Sequence, residues 1–298
     1  MTKSPLAVYS EYFALRLFCA GINAVPYPLA MAFARGLARL AFSVFRFKRR
    51  RTLGRIRSVF PDKPEREVRE IALRSLQNVL QTAVEMMRAS RLDRAWMDRH
   101  VEDGMRCKEI LQQLVDEGRG VVIMLPHSGN WYMGAWAMVR YGLPLFAIGS
   151  RQRNPRIDAW MRRQYGDVEI LDRDCRDTLL RIHEKLAAGR AFAILPDLRV
   201  RHPDVAAEFL GGTANVSRSG AAFAVRRGCP IMVAAVARRN GRHVFRHLAT
   251  LRPDPAAPDR KEEARRLTRE ALRLMSDEVM RNPGDWYWYN KRWILEPV

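Results

Sequence analysis

His127 is the residue in this chain whose surroundings most suggest chemistry. It follows Val121–Leu125, an apolar run rich in β-branched residues and closed by Pro126, the mark of a strand buried on both faces. Ser128, Gly129 and Asn130 come next and offer helix-start residues, and Trp131 to Val139 reads as a buried helix. The imidazole therefore falls where a strand's carboxyl end meets a helix's amino end. In open α/β sheets ligands bind in that crevice, and the helix end favours developing negative charge. Ala191–Leu195 is a second apolar strand, closed by Pro196-Asp197. Asp197 follows its strand by two residues, as His127 does, so the two are expected to converge on one crevice. The bland readings are a histidine that only caps or packs and a turn aspartate bonding its own backbone. No Gly-x-Ser-x-Gly elbow occurs, so a histidine acting directly on a substrate proton suits the sequence better than a serine relay.

The elements that must hold these residues alternate in type. Leu145–Ile148 and Val168–Leu171 read as further strands, Ile157–Tyr165 as a helix, and Leu179, Ile182 and Leu186 stripe another helix that ends at Gly189. Ile231–Ala237 and Val244–Leu251 read as a hairpin around Asn240-Gly241. The segment from Phe209 to Gly220 is Gly/Ser/Thr-rich and reads as a mobile loop opening a helix near Ser219–Arg227. Glu65–Ala89 is a long amphipathic helix with Val68, Ile71 and Leu76 inward and with Glu85 and Gln77 as polar exceptions; Ala264, Leu267, Ala271 and Val279 stripe the last helix. The expected fold is α/β: a mostly parallel, doubly wound sheet flanked by helices, preceded by an amino-terminal apolar helical membrane anchor. This divides the chain into a membrane-anchoring segment, residues 1–50, and an α/β domain, residues 51–298.

The anchor reading rests on Leu17–Ala34, which carries no charged side chain but is interrupted by Pro26 and Pro28. Two helical pieces, Tyr9–Ala24 and Leu29–Phe47, fit better than one crossing. The second aligns Leu29, Phe33, Leu37, Leu40 and Val44, with Arg35, Arg39 and Arg46 opposite, the pattern of a helix lying in a membrane interface. Lys48-Arg49-Arg50-Arg51 follows at once and is suited to anionic lipid. The net charge of +20 and pI near 10.7 call for an acidic partner. An anionic membrane surface is preferred to nucleic acid, because the bases adjoin an apolar segment and no nucleic-acid motif is present. Cys19, Cys107, Cys175 and Cys229 are far apart with no Cys-x-x-Cys pair, so neither a metal site nor a disulfide framework is expected and a reducing compartment is the default.

Taken together, Leu125-Pro126-His127-Ser128-Gly129-Asn130-Trp131, the Phe60-Pro61 turn, Arg151 to Asn154-Pro155, Pro196-Asp197, Phe209-Leu210-Gly211 and Trp288–Trp293 resemble the bacterial lipid A late acyltransferases and the related mycobacterial phosphatidylinositol mannoside acyltransferases. The resemblance covers nearly the whole chain. It implies transfer of an acyl group from an acyl carrier protein or coenzyme A thioester, with no other cofactor, to a hydroxyl of a lipid or glycolipid such as a lipid A precursor, by a peripheral or monotopic protein on the cytoplasmic face of the bacterial inner membrane. His127 would be the general base. One departure stands out: the acidic residue of the family's histidine motif falls on Tyr132. Asp197 is then expected to supply the negative charge, with Tyr132 fixing the ring or binding substrate. Asn130, Trp131, Arg151, Arg153 and Arg199 are the expected substrate-binding residues, Arg151 and Arg153 both qualifying as the family's arginine before Asn-Pro. Loss of the motif carboxylate also allows a catalytically degenerate lipid- or carrier-binding protein of the same fold.

Overall fold

A computed structural model describes residues 4–296. In chain order the helices and strands are α1 (Pro5–Ala24), α2 (Tyr27–Ser43), α3 (Arg49–Val59), α4 (Glu65–Met87), α5 (Arg94–His100), β1 (Val101–Glu102), α6 (Cys107–Asp116), β2 (Val121–Met124), α7 (Trp131–Arg140), β3 (Leu145–Gly149), α8 (Pro155–Gln164), β4 (Glu169–Asp172), α9 (Thr178–Ala187), β5 (Ala191–Ile194), β6 (Val205–Phe209), β7 (Gly212–Val216), α10 (Ser219–Arg227), β8 (Ile231–Arg239), β9 (Arg242–Leu251) and α11 (Arg260–Arg281). The main sheet has strand order β1-β9-β8-β2-β5-β3-β4, parallel except for the antiparallel β8–β9 hairpin. The mixed α/β reading and the hairpin around Asn240-Gly241 hold.

Both faces of the sheet are covered, and β2 shows how. Val122 and Met124 join a core built with α9, α10 and α11; Val121, Ile123 and Leu125 point to the other face, into a second core with α5, α6 and α7. Alternation of apolar residues into two cores is what a doubly covered strand requires. The closing aromatic tail fills the first core: Trp286, Trp288, Tyr289 and Trp293 are all buried there.

Two sequence expectations change. The Phe209–Gly220 stretch is not a loop; it contributes most of the two-stranded β6–β7 hairpin, paired Val205↔Val216 through Phe209↔Gly212. Composition hid it because the inward residues Phe209, Ala214 and Val216 are separated by glycines, Thr213 and Asn215. On α9, Ile182 and Leu186 are buried but Leu179 is exposed. The Arg49–Val59 basic run is itself a helix, packed on α4.

At the amino terminus the apolar stripe on α2 faces outward. Leu29, Phe33, Leu37, Leu40 and Val44 are exposed, while Ala30, Met31, Ala34, Ala38 and Phe42 are buried, and α2 packs along α4. On α1, Leu6, Phe13 and Leu17 are exposed as well, at 81%, 70% and 65%. Among the described residues no helix is long and apolar enough to cross a membrane, so a spanning anchor is not present among them.

α4 carries a buried polar centre that ties the site to this hairpin. Glu85 is fully buried and accepts from Tyr27 Oη (2.6 Å), Asn130 Nδ2 (2.7 Å), both terminal nitrogens of Arg238 (2.8 and 2.7 Å) and His243 Nε2 (3.1 Å). Burial works to raise its pKa, but the charges and hydrogen bonds of Arg238 and His243 outweigh that and hold the carboxyl well below the usual range. Glu85→Ala would leave Arg238 buried without its counter-charge, and urea denaturation at neutral pH should show a loss of about 3–5 kcal/mol. Because the folded pKa is depressed, Glu85 contributes its stability above the unfolded value near ~4.3 and loses it as pH falls through the lower folded value. The gap between wild type and variant should therefore close below about pH 4; a gap under about 1 kcal/mol at neutral pH would contradict the role given to this carboxylate.

Candidate active site

β2 and β5 are neighbouring parallel strands in the register Met124↔Ile194. His127 and Asp197 each lie three residues past that pair, so the register alone carries them to the same point on the sheet's carboxyl edge. There the imidazole Nδ1 and Asp197 Oδ1 are 2.7 Å apart, and the His127 backbone N–H donates to Asp197 Oδ2 at 2.7 Å. Asp197 is fully buried and its Oδ2 accepts a second bond from the indole N–H of Trp286, also at 2.7 Å. A carboxylate in its anionic form can only accept, and facing one the imidazole carries its proton on Nδ1. That leaves Nε2 as the nitrogen available to a substrate, the tautomer a general base needs.

The loop bearing His127 is held by its backbone. Gly129 donates to the Asp285 carbonyl at 3.0 Å, and Tyr287 donates to the His127 carbonyl at 3.0 Å. Asn78 Nδ2 bridges the carbonyls of Gly129 (2.8 Å) and Asp285 (3.0 Å). Gly129 has φ +57°, and a Cβ there would lie 2.2 Å from the Val236 carbonyl oxygen. The loop therefore needs glycine both for its left-handed turn and for this close approach. Asn130 caps α7, accepting from the Met133 N–H at 3.1 Å, while its amide nitrogen is given to Glu85. Asn130 is buried and belongs to the frame beneath the site, not to its surface.

His127 lines a cavity of about 290 Å³ between the sheet and the α6–α7–α8 layer. Its walls include Leu111, Ile123, Trp136, Ala193, Met232 and Phe245, and Ser150, Gln152, Asp158 and Arg162 supply polar groups. Such an apolar chamber with few polar groups suits a hydrocarbon ligand. Trp131 also lines it and meets the His127 ring edge-on at 5.0 Å between centroids. No metal-binding cluster of His, Cys, Asp and Glu occurs among the described residues.

Tyr132 does not orient the imidazole. Its ring lies among Trp131, Trp136 and Tyr165, with centroids 5.3, 6.1 and 5.8 Å away. Burial raises its pKa, keeping the phenol neutral. Of the two roles expected for Tyr132, fixing the ring or binding substrate, its place in the cavity wall suits the second. The arginines also stand apart from the imidazole. Arg151, largely exposed, pairs with Asp172. Arg153 is exposed on the edge loop, and Arg199 pairs with Glu296 at 3.0 Å. None of the three is among the residues lining the cavity.

Two neighbours of the site were not singled out from sequence. Tyr165 enters through the fold of α8, and no local pattern marks it. Trp286 sits in a tail whose aromatic density is plain, but the direction of one indole N–H is a tertiary fact.

Residues 2–294 match the family described as bacterial lipid A biosynthesis acyltransferase. A relative, the phosphatidylinositol mannoside acyltransferase of Mycolicibacterium smegmatis, is 25% identical over 194 residues, covering 62% of this chain and 60% of that protein. The chain thus spans less than two thirds of this relative's length. With a family match running through the strand–histidine–helix unit, the strand bearing Asp197 and most of the aromatic tail, the chain belongs to the bacterial lipid A biosynthesis acyltransferase family.

Proposed function

We propose that this protein is an acyltransferase moving a fatty acyl group from a thioester, carried by an acyl carrier protein or coenzyme A, to a hydroxyl of a lipid or glycolipid at a membrane surface. The observation that carries the reading is the His127–Asp197 contact, with His127 in the wall of an apolar chamber. His127 Nε2 takes the proton of the acceptor hydroxyl as its oxygen attacks the thioester carbonyl. The C–S bond then breaks, and the imidazolium returns the proton to the departing thiolate. Asp197 holds the ring and offsets the transient positive charge. The oxyanion falls to the amino end of α7, because Arg151 is occupied by Asp172. The chamber takes the acyl chain, whose burial is worth about 0.8 kcal/mol per methylene.

A degenerate binding protein is the competing reading, and it rests on Tyr132 standing where the motif carboxylate is expected. Asp197 reaches Nδ1 from the neighbouring strand and can serve that electrostatic role, which supports the catalytic reading. A lipid A precursor is the first acceptor to test, given the family.

The membrane face is the exposed apolar side of α1 and α2, continued by Phe45 and Phe47, which are 71% and 47% exposed. Arg46, Lys48, Arg49, Arg50 and Arg51 line a basic cleft directly after it. Apolar side chains would enter the acyl boundary and the bases would meet lipid phosphates, at about 1 kcal/mol per base near an anionic surface. This arrangement supports peripheral attachment through residues 1–50, and we assign it to the cytoplasmic face of the inner membrane.

With acyl donor and total lipid extract as substrates and mass spectrometry of the products, His127→Ala and Asp197→Asn should each slow transfer by about 10²- to 10⁴-fold. Near-normal transfer by His127→Ala would overturn the assignment of the base. In flotation with anionic liposomes, a Phe33→Asp, Leu37→Asp double variant should remain in the soluble fraction while wild type floats. Equal flotation of the two would move the membrane face elsewhere.

A further inference from the structure

The aromatic tail meets the catalytic pair in two ways, through backbone contacts to the His127 loop and through one side-chain hydrogen bond to Asp197. Asp197 is fully buried and has two oxygens to satisfy. Oδ1 faces the His127 ring nitrogen, while Oδ2 takes the His127 backbone N–H and the Trp286 indole N–H, each at 2.7 Å. A carboxylate held only by the two bonds from His127 could pivot as a unit with that residue. The indole comes from elsewhere in the chain and fixes the carboxylate against an independent part of the core.

Trp286 is itself anchored firmly. It is fully buried, its carbonyl accepts from Ser75 Oγ at 2.5 Å, and its ring packs edge-on against Trp288 at 4.9 Å and tilted against Phe209 at 5.8 Å. Ser128 and Trp286 also form an isolated antiparallel bridge. The same short segment therefore holds both partners of the pair, His127 through backbone and Asp197 through a side chain.

We propose that Trp286 is a positioning residue for the reaction assigned above: its indole N–H selects the rotation of the Asp197 carboxylate that keeps Oδ1 on His127 Nδ1. This inference rests on the acyl-transfer reading for its kinetic consequence, though not for its structural one. A buried hydrogen bond to a charged group is worth enough that its loss corresponds to roughly a tenfold to hundredfold change in an equilibrium or rate. The orientation should matter more in the transition state, when the ring is positively charged, than in substrate binding.

Trp286→Phe removes the donor and keeps an aromatic ring. Trp288→Phe is the matched comparison: it removes an indole N–H from the same buried tail, but one that is given to the Pro283 carbonyl at 2.7 Å. Both full-length variants are assayed for transfer, and the low-field imidazole Nδ1–H resonance of His127 is followed by NMR in the absence of substrate. The expected result is a fall in kcat of about tenfold or more for Trp286→Phe with KM changed by less than about threefold, and loss or broadening of that resonance through faster exchange. Trp288→Phe should keep both the rate and the resonance. If the two variants behave alike, or if Trp286→Phe keeps wild-type kcat and a sharp resonance, the positioning role is wrong. If wild type transfers no acyl group yet the resonance still depends on Trp286 alone, the acyl-transfer reading fails and the hydrogen-bond assignment stands.

Discussion

The buried charge of Asp197 is the constraint around which the site is built. A carboxylate removed from water is costly unless every lone pair facing the interior finds a donor. Here the donors are the ring and backbone N–H of His127 and one indole N–H. Satisfying Asp197 and orienting His127 are thus one physical event. The protein cannot settle the acid into its pocket without also setting the imidazole's tautomer and direction.

Glu85 solves the same problem on the other side of the histidine loop with different means. Asp197 is compensated by neutral donors and the imidazole, whereas Glu85 is matched by the full charge of Arg238, with His243, Tyr27 and Asn130 completing its shell. For His243, burial and the Arg238 charge prevail over the attraction of Glu85 and lower the pKa. The two acids differ in their partners: Asp197 has no arginine among its bonds, whereas Glu85, which braces Asn130 and the start of α2, is locked by one. Tyr27 makes that brace continuous from the α1–α2 hairpin to the α7 cap.

The amino-terminal helices invert the usual arrangement of an amphipathic helix on a globular domain. α2 turns mainly small residues, Ala30, Ala34 and Ala38, toward α4 and leaves its large apolar residues outside. Small side chains permit close helix packing, and a contiguous set of large exposed apolar residues marks an interaction surface.

Much of this was legible in the chain alone, for definite reasons. A fully apolar strand followed by Pro-His and a helix-start triplet marks an α/β ligand edge wherever it occurs, because periodicity and turn chemistry are local. The membership of His127 and Asp197 in one crevice could be anticipated from their equal offsets past two strands. What only the tertiary structure decided is which groups bond to which. Strand order brought β5 beside β2 and made Asp197 the carboxylate at Nδ1, while the packing of α8 drew Tyr132 into an aromatic wall with Tyr165. The β6–β7 hairpin escaped notice because its glycines and threonine obscured a period-two pattern. Arg151 and Arg153 were placed at the site by motif and Arg199 by its basic loop, but salt-bridge partners and exposure are settled by distances in space. Trp286 was visible as a tail aromatic, yet no one-dimensional pattern encodes that its N–H points at an acid 89 residues away in the chain. Sequence determines local conformation through short-range sterics and periodic burial; the direction of a hydrogen bond across the core depends on all the packing at once.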